Sequence, residues 1–166
     1  MPTARQPASF ASWPTTEPTA RHVIMVAHIG GRTVGLHEGR RAQQQDAAEA
    51  EAQRRVLSND SDPREADLSG ITVVELQFPK FSDGRAFSQA FLLRRRRGFA
   101  GDIRATGDVL IDQLVQMARS GFTQAVLRAD QDLAHGRRLL AHYPAFYQGD
   151  AVQAAPLFVR DTAATA

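Results

Sequence analysis

Three stretches of this chain set cations and carboxylates immediately behind apolar runs. Lys80, Asp83 and Arg85 follow ITVVELQF (71–78), Arg104, Thr106 and Asp108 lie in and behind the run that begins at Gly101, and Arg128, Asp130 and Asp132 follow FTQAVL (122–127). A guanidinium grips an oxyanion through two parallel hydrogen bonds, an ammonium acts as a point charge, and a helix N-terminus offers free amides. On that chemistry Lys80, Asp83, Arg85, Arg104, Asp108 and Arg128 form one candidate rim for an anion or a partner, with Arg85 and Arg104 as the gripping pair. The competing reading is local. Asp83, Thr106 and Asp130 also suit helix caps, and each arginine has an aspartate nearby to pair with. No residue is assigned a catalytic role.

Other constellations carry less. Asp108 and Asp112 stand one helical turn apart and could share a cation, although a cap beside a solvated aspartate explains them as well. His135 and His142 are separated by about 10 Å along a helix axis and cannot chelate one ion. His22, His28 and His37 show no ligand spacing, so no metal site is expected. Ser82 and Ser88 have no histidine beside them to form a triad. Neither the dinucleotide fingerprint nor a phosphate-cradling Walker loop occurs, so the sequence names no cofactor. The run Arg94-Arg95-Arg96-Arg97 closes a helix, where cations suit the negative end of the dipole; it reads as a solvated face or as a dock for an acidic partner.

The elements that must position the rim follow from periodicity. Val56-Leu57 is a short strand, and Asp62-Pro63 suits a first helical turn. Residues 71–78 form a strand closed by Pro79. Ser82 or Asp83 can cap a helix to about Arg97, with Phe87 and Phe91 aimed at the core. A strand over 101–105 precedes a helix capped by Thr106 or Asp108 that carries Leu110, Leu114 and Met117. Gly121 occupies a left-handed C-cap position. A strand over 122–127 then leads to a last helix capped by Asp130 or Asp132, with Leu133, Leu140 and Tyr143 in register. Strands alternating with helices at this spacing predict an α/β fold: a parallel sheet of four or five strands covered by helices. It is either a Rossmann- or flavodoxin-like open sheet or a partial barrel. Loops behind parallel strands share one rim, where ligands usually bind.

Outside 56–150 the expectations are coarser. Residues 1–20 hold four prolines and no hydrophobic period and read as a disordered tail. Residues 21–55 read as a strand at 22–28 (HVIMVAH), stopped by Gly30-Gly31, followed by a polar helix over 40–55, and residues 151–166 as a C-terminal tail.

Composition sets limits on all of this. The chain has 166 residues, no cysteine and a formal net charge of +2. Lacking cysteine, it holds no disulfide, thiolate metal site or cysteine nucleophile of its own. Lys80 is the single lysine, so the cations are arginines that barely titrate, interleaved with 18 carboxylates. A nucleic-acid binder needs a segregated basic face, which ranks that class last. No apolar run approaches the roughly 18 residues of a membrane span, and no secretory signal opens the chain, so a cytoplasmic location is expected.

Two blocks resemble the signatures of a known bacterial family. One is Phe78-Pro79-Lys80-Phe81-Ser82-Asp83-Gly84-Arg85 with Ser88, Ala90 and Leu92-Leu93-Arg94. The other is Gly101-Asp102-Ile103-Arg104-Ala105-Thr106-Gly107-Asp108 with Asp112-Gln113. Arg119-Ser120-Gly121-Phe122 and Tyr147-Gln148-Gly149-Asp150 look like its later landmarks. The chain over 56–150 is thereby similar to domain-of-unknown-function family 934, with Asp102 standing where glutamate is expected and Ser120 where cysteine or threonine is frequent. Family members are described as oxidoreductases or as accessory proteins of assimilatory sulfite reduction. The resemblance therefore implies a pathway, sulfur assimilation, and a partner, sulfite reductase. Two functions follow as expectations: an accessory module that docks on the reductase through the rim, or an enzyme that binds an oxyanion or phosphate-bearing cofactor, such as a flavin, at the same rim.

Overall fold

The computed structural model describes residues 53–128, 130–143 and 145–159, together with the backbone of three earlier strands. The tail expected over 1–20, the greater part of the helix expected over 40–55 and residues 160–166 lie outside the described residues. Strands β1 (His22–Met25), β2 (Ala27–Ile29) and β3 (Arg32–Val34) come first. The sheet proper follows with β4 (Arg54–Leu57), β5 (Val73–Phe78), β6 (Asp102–Gly107) and β7 (Gln124–Leu127). Between and after them run α1 (Arg85–Arg95), a 3-10 turn at Ile111–Gln113 continuing into α2 (Leu114–Ser120), and α3 (Leu133–His142).

The fold is the expected α/β open sheet, with β4, β5, β6 and β7 all parallel. Strand order, which periodicity leaves open, is the order of the chain: β4 at one edge, then β5, β6 and β7, and β1 antiparallel along the far side of β7. The run expected at 22–28 divides into β1 and β2, and β2 pairs antiparallel with β3 as a separate two-stranded sheet. Among the described strands there is no reversal of order of the kind that opens a ligand crevice in doubly wound sheets.

That order decides which face is covered. Right-handed crossovers taken in sequence place successive helices on the same side of a sheet, and here α1 packs on β5 and on α2, and α2 on α3. The face toward them carries Leu57, Val74, Leu76, Phe78, Ile103, Ala105, Ala125 and Leu127, all buried. Phe78, Phe87 and Phe122 meet edge-on or tilted at 5.2–6.0 Å between centroids and form the aromatic centre of the core.

Several local expectations are corrected. Phe91 is 44% exposed, because α1 turns Ala86, Gln89, Ala90 and Leu93 inward and only Phe87 of the two phenylalanines joins the core. Asp62-Pro63 opens a turn and not a helix; the Asp62 carboxylate accepts the Arg64 amide at 2.9 Å. Arg54 and Arg55, the end of the expected polar helix, lie in strand β4. The tetra-arginine run is no uniform solvated face. Arg94 reaches inward to the carbonyls of Gly121, Phe99 and Gly101 at 2.9, 2.6 and 2.7 Å, and Arg97 donates to the carbonyls of Arg64 and Ala66. Gly121 has φ 102° and closes α2 as expected, with Arg94 packed where a side chain would stand.

Candidate functional site

The loops behind the four parallel strands are laced together at one rim. Asn59, behind β4, donates to the Asp83 carboxylate at 2.6 Å. The amide of Phe81, behind β5, donates to Asp108 Oδ2 at 3.0 Å, and Gln113 Nε2 donates to the Phe81 carbonyl at 2.7 Å. Arg128, behind β7, reaches Asp108 Oδ1 at 3.3 Å, and Gln131 Oε1 accepts the Ile111 amide at 3.0 Å. The turn at 83–85 and the turn at 107–108 thus meet at the same end of the sheet, joined through Phe81. Their approach depends on Gly107, whose φ of 96° and lack of Cβ let the strand end pass the Phe78 carbonyl.

Each rim residue has a definite place. Asp83 accepts the Arg85 amide at 3.2 Å ahead of α1, whose N-cap is Gly84 with no side-chain cap, so neither Ser82 nor Asp83 caps it as expected; Asp83 also holds the Arg85 guanidinium through Nε at 3.1 Å and Nη2 at 2.7 Å. That contact, aided by the Arg85 amide and by Asn59, holds the Asp83 carboxyl down at about 2 and raises Arg85. Arg128 pairs with Asp130 at 2.7 Å and with Asp108, which raises its affinity for the proton, while the Asp130 carboxyl falls to about 2 for the same reason. Asp108 is therefore no helix cap: β6 runs on through Gly107 and the helical turn begins only at Ile111. Asp132 caps α3 by accepting the Ala134 amide at 2.9 Å. Lys80 is exposed, and among the described residues no side-chain bond engages it.

Arg104 stands apart from the other five. It lies in the middle of β6, not in the loop behind it, and its side chain emerges on the sheet face away from the helices. There Arg104 donates to Glu75 Oε1 at 2.9 Å and to Gln124 Oε1 at 2.6 Å, and Arg54 donates to Glu75 Oε2 at 3.0 Å. Gln124 in turn donates to Asp102 at 2.9 Å, and Asp102 accepts the Thr123 hydroxyl at 2.9 Å. A polar chain therefore crosses all four parallel strands, with Glu75 buried between two guanidinium groups. Above it opens a groove of about 600 Å³ toward the rim, lined by Arg54, Glu75, Gln77, Thr106, Asp108 and Val126 among others.

Glu75, Gln77, Arg54 and Gln124 escape a search of loops because they sit within strands. Their signal is the period-two alternation of VVELQF and DIRATG, in which Glu75, Gln77, Asp102, Arg104 and Thr106 all share one face. Arg85 and Arg104 are consequently not a converging pair of grips; each is engaged by its own carboxylate. Among the described residues no group of three or more histidines and carboxylates could hold a metal ion, and no helix is long and apolar enough to cross a membrane.

Compared with known families, residues 55–158 match the family described as bacterial protein of unknown function, DUF934. Comparison with curated proteins and with solved structures found no match.

Proposed function

The chain belongs to the bacterial family of unknown function DUF934, and from that premise we propose that it is a non-catalytic accessory module of sulfur assimilation that docks through its rim on the enzyme reducing sulfite. The pathway comes from the resemblance of its two signature blocks. The docking mode rests on one observation: the arginines already hold carboxylates, at the rim Arg85 that of Asp83 and Arg128 those of Asp108 and Asp130, and on the sheet face Arg104 that of Glu75. A small oxyanion would have to displace a carboxylate from each, held through two bonds at Arg85 and at the Arg128–Asp130 pair. A protein surface need not, because an exposed mosaic of both signs, with Phe81 53% exposed beside it, can match a complementary mosaic across an interface.

The test is co-purification of the full chain with the catalytic subunit of sulfite reductase. Arg85→Ala and Asp108→Ala should each weaken capture at least about tenfold in a folded protein. Capture unchanged by both substitutions removes the rim from the account, and no capture of the reductase by the native chain removes the docking function.

A second reading, an enzyme that binds an oxyanion or a phosphate-bearing cofactor, is favoured by the uncommitted Lys80 at the rim and by the groove over the polar sheet face. It expects retained visible absorbance from a flavin, or a melting temperature raised by sulfite, sulfate, NADPH or FMN. A colourless protein indifferent to all four leaves docking as the function.

A further inference from the structure

One aromatic residue at the rim is presented to solvent on a fixed backbone. Lys80, Phe81, Ser82 and Asp83 form a turn in which the Asp83 amide donates to the Lys80 carbonyl at 3.0 Å, so Phe81 is the first of its two central residues and stands at the tip. Both backbone polar groups of Phe81 are held. The amide donates to Asp108 Oδ2 and the carbonyl accepts from Gln113 Nε2, both from the connection behind β6. The two holders are themselves fixed: the Asp108 amide donates to the Phe78 carbonyl at 2.8 Å, and Gln113 Oε1 accepts the Leu110 amide at 3.2 Å.

The ring is treated differently from the backbone. Phe78 and Phe122 are buried and Phe87 packs against them, but more than half of the Phe81 side chain is open to solvent. Among the described residues no aromatic ring or cation stacks on it. A side chain so exposed on a backbone so constrained gives up little further freedom when it is covered. That separates an anchor from an ordinary apolar residue on a surface.

The surroundings say what can cover it. Asp83 pairs with Arg85, and Asp108 and Asp130 with Arg128, so the charges around the turn neutralise one another. Lys80, the residue before Phe81, is the rim cation that no side-chain bond engages among the described residues. The phosphates of a nucleic acid or of an anionic membrane would meet three carboxylates here and gain one lysine. A second copy related by a twofold axis would set tip against tip, where a ring needs a recess. The groove on the sheet face is lined by Arg54, Glu75 and Asp108 and offers no apolar recess either. A protein with a concave apolar site remains.

We infer that Phe81 is the anchor of the docking rim: its ring enters an apolar recess on the partner enzyme, and Lys80 pairs with a carboxylate at the edge of that recess. This role rests on the docking function proposed above and names what the partner must offer. The ring forms the apolar centre of the contact, and the paired charges around it form a polar border that keeps water from the centre. Lys80, as a border charge, governs the rate of encounter more than the lifetime of the complex.

The test is the association and dissociation kinetics of the full chain on the immobilised catalytic subunit of sulfite reductase, at low and at high salt. Phe81→Ser should weaken binding at least about thirtyfold, through faster dissociation and equally at both salts, whereas Phe81→Leu should stay within about fivefold of the native chain. Lys80→Glu should slow association about tenfold at low salt and little at high salt. Both side chains are exposed, so the melting temperatures of these variants should stay close to the native value. Native binding that Phe81→Ser leaves intact overturns the anchor and leaves docking to Arg85 and Asp108. A native chain that does not bind the reductase removes the docking function, and the anchor with it. The anchor is equally overturned if the loss on Phe81→Ser vanishes at high salt, or if that change dissociates a homodimer or releases the chain from phosphatidylglycerol vesicles.

Discussion

Arg94 and Arg85 show how differently one residue type is employed within a few turns of chain. Arg94 donates to three carbonyls that would otherwise be left without partners as α1, the start of β6 and the end of α2 come together, and burial pulls its guanidinium down to about 10. Arg94→Ala should therefore cost about 2–4 kcal/mol in urea unfolding, and Arg94→Lys should recover only part, because one ammonium cannot reproduce the fork. Arg85 instead remains in solvent and acts on Asp83. Because the Asp83 carboxyl is depressed in the folded state, the pairing contributes above the unfolded value of about 3.9 and is lost as pH falls toward about 2. Carboxyl carbon NMR should show Asp83 titrating near the bottom of that window, and Arg85→Ala should move it upward toward 3.9. A titration unmoved by that change would mean the ion pair is absent in solution.

At the scale of single elements, orientation outweighs composition. Helix α1 contains two phenylalanines, but only Phe87 reaches Phe78 and Phe122. Phe87→Ala should destabilise by about 3 kcal/mol, whereas Phe91→Ser should stay within about 0.5 kcal/mol of the native protein. Comparable losses from both would mean that α1 is rotated. The end of β6 is a second case. A Cβ on Gly107 would stand 2.3 Å from the Phe78 carbonyl oxygen, at a φ of 96° that side chains rarely adopt. Gly107→Ala should thus cost at least about 2 kcal/mol and release Asp108 from the Phe81 amide. Faster hydrogen exchange at that amide is the measurement.

For the whole molecule, sequential strand order has two consequences. It gathers the described helices on one side, with the Arg54–Glu75–Arg104–Gln124 chain on the other, and it makes β7 dependent on β1 for its outer hydrogen bonds. A chain begun at residue 53 keeps the whole of the family match but loses β1. Its β7 then becomes an exposed edge, with a row of unpaired amides and carbonyls open to other chains. Such a fragment should show a lower melting temperature, concentration-dependent association and faster exchange at residues 124–127. A monomer with native β7 protection would show that the fourth parallel strand needs no outer partner.

The parallel α/β character and two strands, expected over 71–78 and 122–127 and found at Val73–Phe78 and Gln124–Leu127, were legible in the residues themselves; of the expected meeting of the 83–85 and 104–108 turns, only the end at 107–108 lies at the rim, since Arg104 sits within β6. Each depends on apolar periodicity, on local capping chemistry, or on the rule that parallel strands end on one side. Strand order, the face on which the described helices pack, the engagement of Arg104 by Glu75 and Gln124 and the inward reach of Arg94 were not. They depend on contacts between residues 20 or more positions apart or on the rotation of a helix about its axis, and an arginine in a sequence carries no mark of which carboxylate or carbonyl will close upon it.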